Sequence, residues 1–149
     1  MKWIELTEDD LQCALNKNQL DALKAEAVRS ANASICTKIL ELTVSKIRAE
    51  IAASGINMLD ENYAKIPPEL KECALRLAME SLQTRVPSME LSKSQTRAID
   101  AAYATLERVA AGKLPVSTPE RGVKTARKHA IAHGAAPRLA GRNSTRGLL

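Results

Sequence analysis

The side chains of this chain that could do chemistry fall into three sets, and their spacing decides what each can do. His129 and His133 stand four residues apart. On a helix that spacing brings both imidazoles to one side, as two ligands of a single metal ion require. No cysteine or acidic residue accompanies them between 121 and 149, and two imidazoles alone do not hold zinc, so no metal site is expected. Cys13, Cys36 and Cys73 show no C-x-x-C spacing, and each lies in an apolar-periodic stretch. That pattern predicts buried free thiols in a reducing compartment. The third set is cationic: Arg121, Lys124, Arg127, Lys128, Arg138, Arg142 and Arg146, with no acidic residue among them in "RGVKTARKHAIAHGAAPRLAGRNSTRGLL".

Those seven cations suit two kinds of partner. They could neutralise phosphates, and binding would then weaken steeply with salt. Equally, arginines separated by small residues can lie along an acidic protein surface and grip carboxylates two bonds at a time. The segment has no aromatic residue to stack bases and no base-reading helix, yet composition alone does not choose between these partners; the seven are expected to contact one. Catalytic patterns are absent: the sequence contains no GxSxG, no HExxH and no phosphate-cradling glycine loop. With its acidic residues dispersed along helix faces, the chain is expected to be no enzyme and to need no cofactor. Asn143 opens an N-x-S/T sequon, but a protein of the cytoplasm does not meet the glycosylation machinery.

Charge separates the chain into two parts. Seven of its 22 Lys and Arg, and none of its 17 Asp and Glu, fall in residues 121–149. Residues 1–120 therefore hold fifteen basic against seventeen acidic side chains, a balance of −2. Such a block of one sign usually marks an interaction arm. The rest of the 149 residues is the size of one domain, 45% hydrophobic, with only Trp3, Tyr63 and Tyr103 as aromatics. A core of Leu, Ile, Val and Ala favours closely packed helices. No secretion signal is expected, since "MKWIELTEDDL" turns acidic at once. No apolar run nears the roughly twenty residues of a membrane span, so no membrane partner is expected.

The elements that would position these residues are helices. Thr7 and Asp10 form a capping box ahead of a short helix. Ile35, Ile39, Leu42, Ile47 and Ile51 recur at three- and four-residue steps apart from one of five, and from about Glu26 to Ser54 they predict one long helix of roughly 40 Å. Gly55 would stop it. "GINMLDENYAKI" reads as a connecting loop, and Pro68 starts a third helix running to Val86. Ser92 and Gln95 cap a fourth, which Gly112 ends. The expected fold class is all-α: a four-helix bundle with one long central helix and an extended C-terminal arm. Residues 1–115 make the helical domain, and residues 116–149 make the basic arm, expected to be disordered until bound. Residues 121–149 could reach about 95 Å if extended.

The order of these segments resembles the head-to-tail adaptor (connector, or head-completion) proteins of tailed bacteriophages, the Mu-like neck proteins among them. The likeness lies in "LTEDDL", in the helix "ASICTKILELTVSKIRAEI", and in "IPPELKECALRLAMESLQTR" with Pro67, Leu70, Lys71 and Ala74. Leu106, Val109, Ala110, Gly112 and Lys113 match the family's closing pattern, so the resemblance covers about residues 4–115. Where the family often carries Tyr or Trp in its third helix, this chain is aliphatic.

The resemblance implies a helical subunit of a homo-oligomeric ring, generally a dodecamer, in the virion neck, made in the cytoplasm of the host bacterium. Its C-terminal segment would grip the portal protein, and a stopper or tail-completion protein would bind the far side. DNA would pass through the ring. The alternative from composition is a small nucleic-acid-binding protein that uses its basic tail, with a regulatory or DNA-packaging accessory protein as a third reading.

Overall fold

A computed structural model describes residues 1–125. The described residues are mostly helical, with five helices and two small sheets. In chain order the elements are β1 (Ile4–Glu5), α1 (Glu8–Ala14), α2 (Lys17–Arg29), α3 (Ile35–Ala53), β2 (Met58–Asp60), β3 (Lys65–Ile66), a 3-10 turn (Pro68–Leu70), α4 (Lys71–Arg85), α5 (Lys93–Ala110) and β4 (Gly122–Lys124).

Capping boxes fix the starts of α1, α2 and α5. Thr7 Oγ1 accepts from the Asp10 amide at 3.2 Å, and Asp10 Oδ2 accepts from the Thr7 amide at 3.1 Å. Ser92 and Gln95 repeat the arrangement at α5. Asn16 and Gln19 form a third box that starts α2. Each satisfies amides that the first helical turn would otherwise leave unpaired. Asp10 also pairs with Lys71 Nζ at 2.6 Å, tying α1 to the start of α4. That bond, and then the one from the Thr7 amide, hold the Asp10 carboxyl below its ordinary range. At the end of α5, Gly112 takes φ +72°. The Lys113 amide then reaches back to the Arg108 carbonyl at 2.9 Å and that of Gly112 to Val109 at 3.0 Å, a Schellman closure.

The single long helix expected over 26–54 is two helices. The break lies in "SANAS", residues 30–34. Ser30 Oγ donates to the Glu26 carbonyl at 2.7 Å, and Asn32 Oδ1 accepts from the Ser34 hydroxyl at 3.0 Å. These short polar side chains compete with the helix ladder for backbone partners. Between them Ala31 adopts φ +51°, a left-handed conformation that disfavours a side chain. The reversal brings Leu23 of α2 and Ile39 of α3 into one apolar cluster, which a straight helix could not do. The 57–66 loop is also more ordered than expected. β1 pairs antiparallel with β3, and β2 pairs antiparallel with β4.

Helices α3, α4 and α5 pack on one another, and α1 leans on α3 and α4. Two clusters fill the interior. One joins α1 and α2 to the first half of α3 and the second half of α4, through residues such as Leu11, Ile39 and Leu82. The other gathers Ile47 and Ile51 of α3, Leu77 of α4 and Leu106 of α5 around Trp3, which is 1% exposed. Of the three cysteines expected to be buried, Cys36 is buried, Cys73 is partly so, and Cys13 is exposed. Cys13 sits on the outer side of short α1, whose seven residues bury only Leu11. Burial raises the thiols of Cys36 and Cys73 above their ordinary value.

Candidate functional site

The path from α5 to Thr125 decides how the basic residues are presented. Past Gly112, Leu114 and Val116 pack against the cluster around Trp3. From there the backbone is fastened at every few residues. The Val116 amide donates to Asn57 Oδ1 at 3.2 Å, and the Ser117 hydroxyl donates to Glu69 Oε2 at 3.0 Å. Trp3 Nε1 donates to the Ser117 carbonyl at 2.9 Å, and the Met1 ammonium to the Thr118 carbonyl at 3.0 Å. The Arg121 carbonyl accepts from the Glu61 amide at 2.9 Å. In β4, Gly122, Val123 and Lys124 face Asp60, Leu59 and Met58. Thr125 Oγ1 closes the series on the Asn57 carbonyl at 3.2 Å. Residues 116–125, the first ten of the expected arm, are thus built onto the body.

Gly122 lies in a close approach in this root, where the nearest atom, Met58 Cε, is the far end of a flexible side chain. A Cβ at Gly122 would lie 2.6 Å from Met58 Cε and 3.3 Å from both Met58 Cβ and Pro119 Cγ. The close approach lets the Gly122–Lys124 strand lie against β2.

One side chain holds the strand that receives the arm. Arg48, on α3, is 7% exposed. Its guanidinium donates to the carbonyls of Asp60 at 2.7 Å, Asn62 at 3.0 Å and Lys65 at 2.7 Å. The rings of Trp3 and Tyr63 stand 5.8 Å and 5.6 Å from it. Burial lowers its proton affinity, and Asp60 opposes that shift. A fork of donors suits three converging carbonyls as an ammonium would not. Arg48 was legible as an anomaly, because it stands four residues after Val44 and three before Ile51, on the inward face of α3.

Of the seven cations expected to meet a partner, two fall within the described residues. Arg121 is exposed at the start of β4, and Lys124 is exposed at its end. Arg121 lines a polar cleft of about 400 Å³ with Lys2, Asp60, Lys65 and Glu120. Arg127, Lys128, Arg138, Arg142 and Arg146 lie outside the described residues, as do His129 and His133. Among the described residues no three His, Cys, Asp or Glu side chains gather as metal ligands. No described helix is long and apolar enough to cross a membrane. Compared with protein-family models, with curated proteins and with solved structures, the chain finds no match.

Proposed function

We propose that this chain is a structural neck protein of a tailed bacteriophage. In this reading it is a head-to-tail adaptor whose copies form a ring, generally of twelve, that docks on the portal through the C-terminal arm. The observation that carries the reading is the fastening of residues 116–125 to Met1 and Trp3 at the start of the chain and to β2. An arm that joins two bodies must be fixed to one of them before it can hold the other.

In this reading α1, α3, α4 and α5 are a four-helix bundle with α3 as its spine, and α2 is an excursion that widens one end. The portal takes one side of the ring, a stopper or tail-completion protein takes the other, and DNA passes between. Residues 126–149 follow the root, and their cations, with Arg121 and Lys124, contact the portal. Ordering such a segment costs conformational entropy, which a large covered surface offsets. Repetition around a ring adds avidity that one arm lacks. Neither a cofactor nor catalysis enters this role.

The test is negative-stain imaging of the full-length protein mixed with the portal ring. The expected result is an added ring of density on one face of the portal. Its loss is expected on replacing Arg138, Arg142 and Arg146 with Gln. A full-length protein that never associates with portal refutes the reading. If it instead shifts DNA with an affinity falling steeply as salt rises, the nucleic-acid module replaces it.

A further inference from the structure

A groove of about 320 Å³ lies between the β1–α1 segment, the first half of α3 and the 63–64 loop. Its floor is apolar: Leu40 and Val44 are buried, and Leu6 is half-buried. Its rim carries Glu5, Glu8 and Glu41, all exposed, and none of its lining residues is Lys, Arg or His. Glu8 accepts from the Thr37 hydroxyl, and Glu5 Oε1 accepts from Asn62 Nδ2 at 3.1 Å. Both carboxylates are thereby held at the rim. Tyr63, 85% exposed, stands at the edge. Its ring already has the Arg48 guanidinium 5.6 Å away, so the attraction for further guanidinium groups rests on the carboxylates.

We propose that this groove binds residues 126–149 of the same chain, with Arg138, Arg142 and Arg146 against its three glutamates. Charge is complementary, because the segment holds five Lys and Arg and no acid. The three arginines follow at four-residue steps around Leu139, with small residues between. Distance also fits. Thr125 is bonded to Asn57, which is bonded to Ser54 at the end of α3. From Ser54 back along α3 the groove begins at Ser45, about 14 Å away, and ends at Thr37, about 26 Å away. Fully extended, the twelve residues 126–137 can reach about 40 Å at most. Arg138 can therefore reach either end of the groove. The neck reading is not needed for this contact, and testing it needs no portal. If both hold, the groove keeps the arm until a partner draws it off.

The full-length Arg142→Lys protein keeps the charge and supplies an amine for carbodiimide coupling to carboxylates. Unlabelled and ¹⁵N-labelled copies are mixed in equal amounts, coupled, and digested for mass spectrometry. The expected products join position 142 to Glu5, Glu8 or Glu41 within one copy, with no mixed-isotope pairs. In 1 M salt, where screening acts within about 3 Å, their yield should fall about five-fold or more. Adding Glu5→Lys and Glu41→Lys, both at exposed positions, should lower it to a similar degree. Coupling that reaches Asp100 or Glu107 as often overturns the proposal. So does a yield indifferent to the two reversals. Mixed-isotope pairs approaching half of the product, the share that coupling between copies gives in an equal mixture, would give the groove to a second copy and overturn it as well.

Discussion

Trp3 and Ser117, 114 residues apart, are joined by a 2.9 Å hydrogen bond from the indole Nε1 to the serine carbonyl. The bond fastens the start of the chain to the root of its basic arm, over the cluster that Trp3 fills. Trp3→Phe should keep most of the apolar packing and leave that carbonyl without its donor. The expected loss is about 1–2 kcal/mol in urea unfolding. Hydrogen exchange at the Glu61 amide, which bonds to Arg121, should quicken more than exchange in α5. Unchanged protection at Glu61 would mean that β4 holds without help from Trp3.

Arg48 should resist substitution more than any exposed cation. Arg48→Met keeps the stem and takes its donors from the Asp60, Asn62 and Lys65 carbonyls, of which Asn62 keeps the Lys65 amide, at an expected cost of about 3 kcal/mol. Arg48→Lys should recover less than half of that, since one ammonium cannot fork toward Asp60, Asn62 and Lys65 together. Urea midpoints of the two variants decide it, and a fully rescuing lysine would refute the fork.

Tyr103 should titrate late. Its hydroxyl donates to Glu80, and that bond, followed by burial, pushes its pKa up to about 12. A folded value above the ordinary phenol value of 10.0 means that folding favours the protonated ring. The resulting stability is fully present below pH 10 and is lost as pH rises toward 12. Absorbance at alkaline pH should show a phenolate component with a midpoint near 12 that Tyr103→Phe removes. A single transition near pH 10 would contradict the Glu80 contact.

Ala31 marks the point where α2 turns back, at φ +51°. Ala31→Gly should raise stability by up to about 1 kcal/mol, because glycine adopts that conformation without a Cβ penalty. Thermal unfolding measures it. A loss of stability as large as the gain expected would mean that helix continuity matters more there than backbone strain.

The sequence made the helix caps legible because their chemistry is local. Thr7 with Asp10, Ser92 with Gln95, and Gly55 and Gly112 as stops can all be read from neighbours three or four residues away. The break at "SANAS" was harder to read, since two alanines favour helix and only the serines and asparagine argue against it. Strands of two or three residues carry no alternation to detect, and β4 finds β2 more than sixty residues earlier in the chain. The root of the arm was missed for the same reason: residues 116–125 are held by Trp3, Asn57, Glu61 and Glu69, none of them nearby in sequence. Composition revealed the cations of the arm but not the acidic groove, whose glutamates come from β1, α1 and α3.

The antiparallel pairing of β4 with β2 also sets how the root answers to tension. A pull along the strand loads the ladder of Gly122, Val123 and Lys124 in shear, so its bonds must fail together. A sideways pull peels the same ladder from Lys124 inward, one bond at a time. Behind it the Trp3 and Glu69 contacts to Ser117 come under load only after β4 has parted. The attachment therefore yields in stages, stiff along one axis and compliant across it.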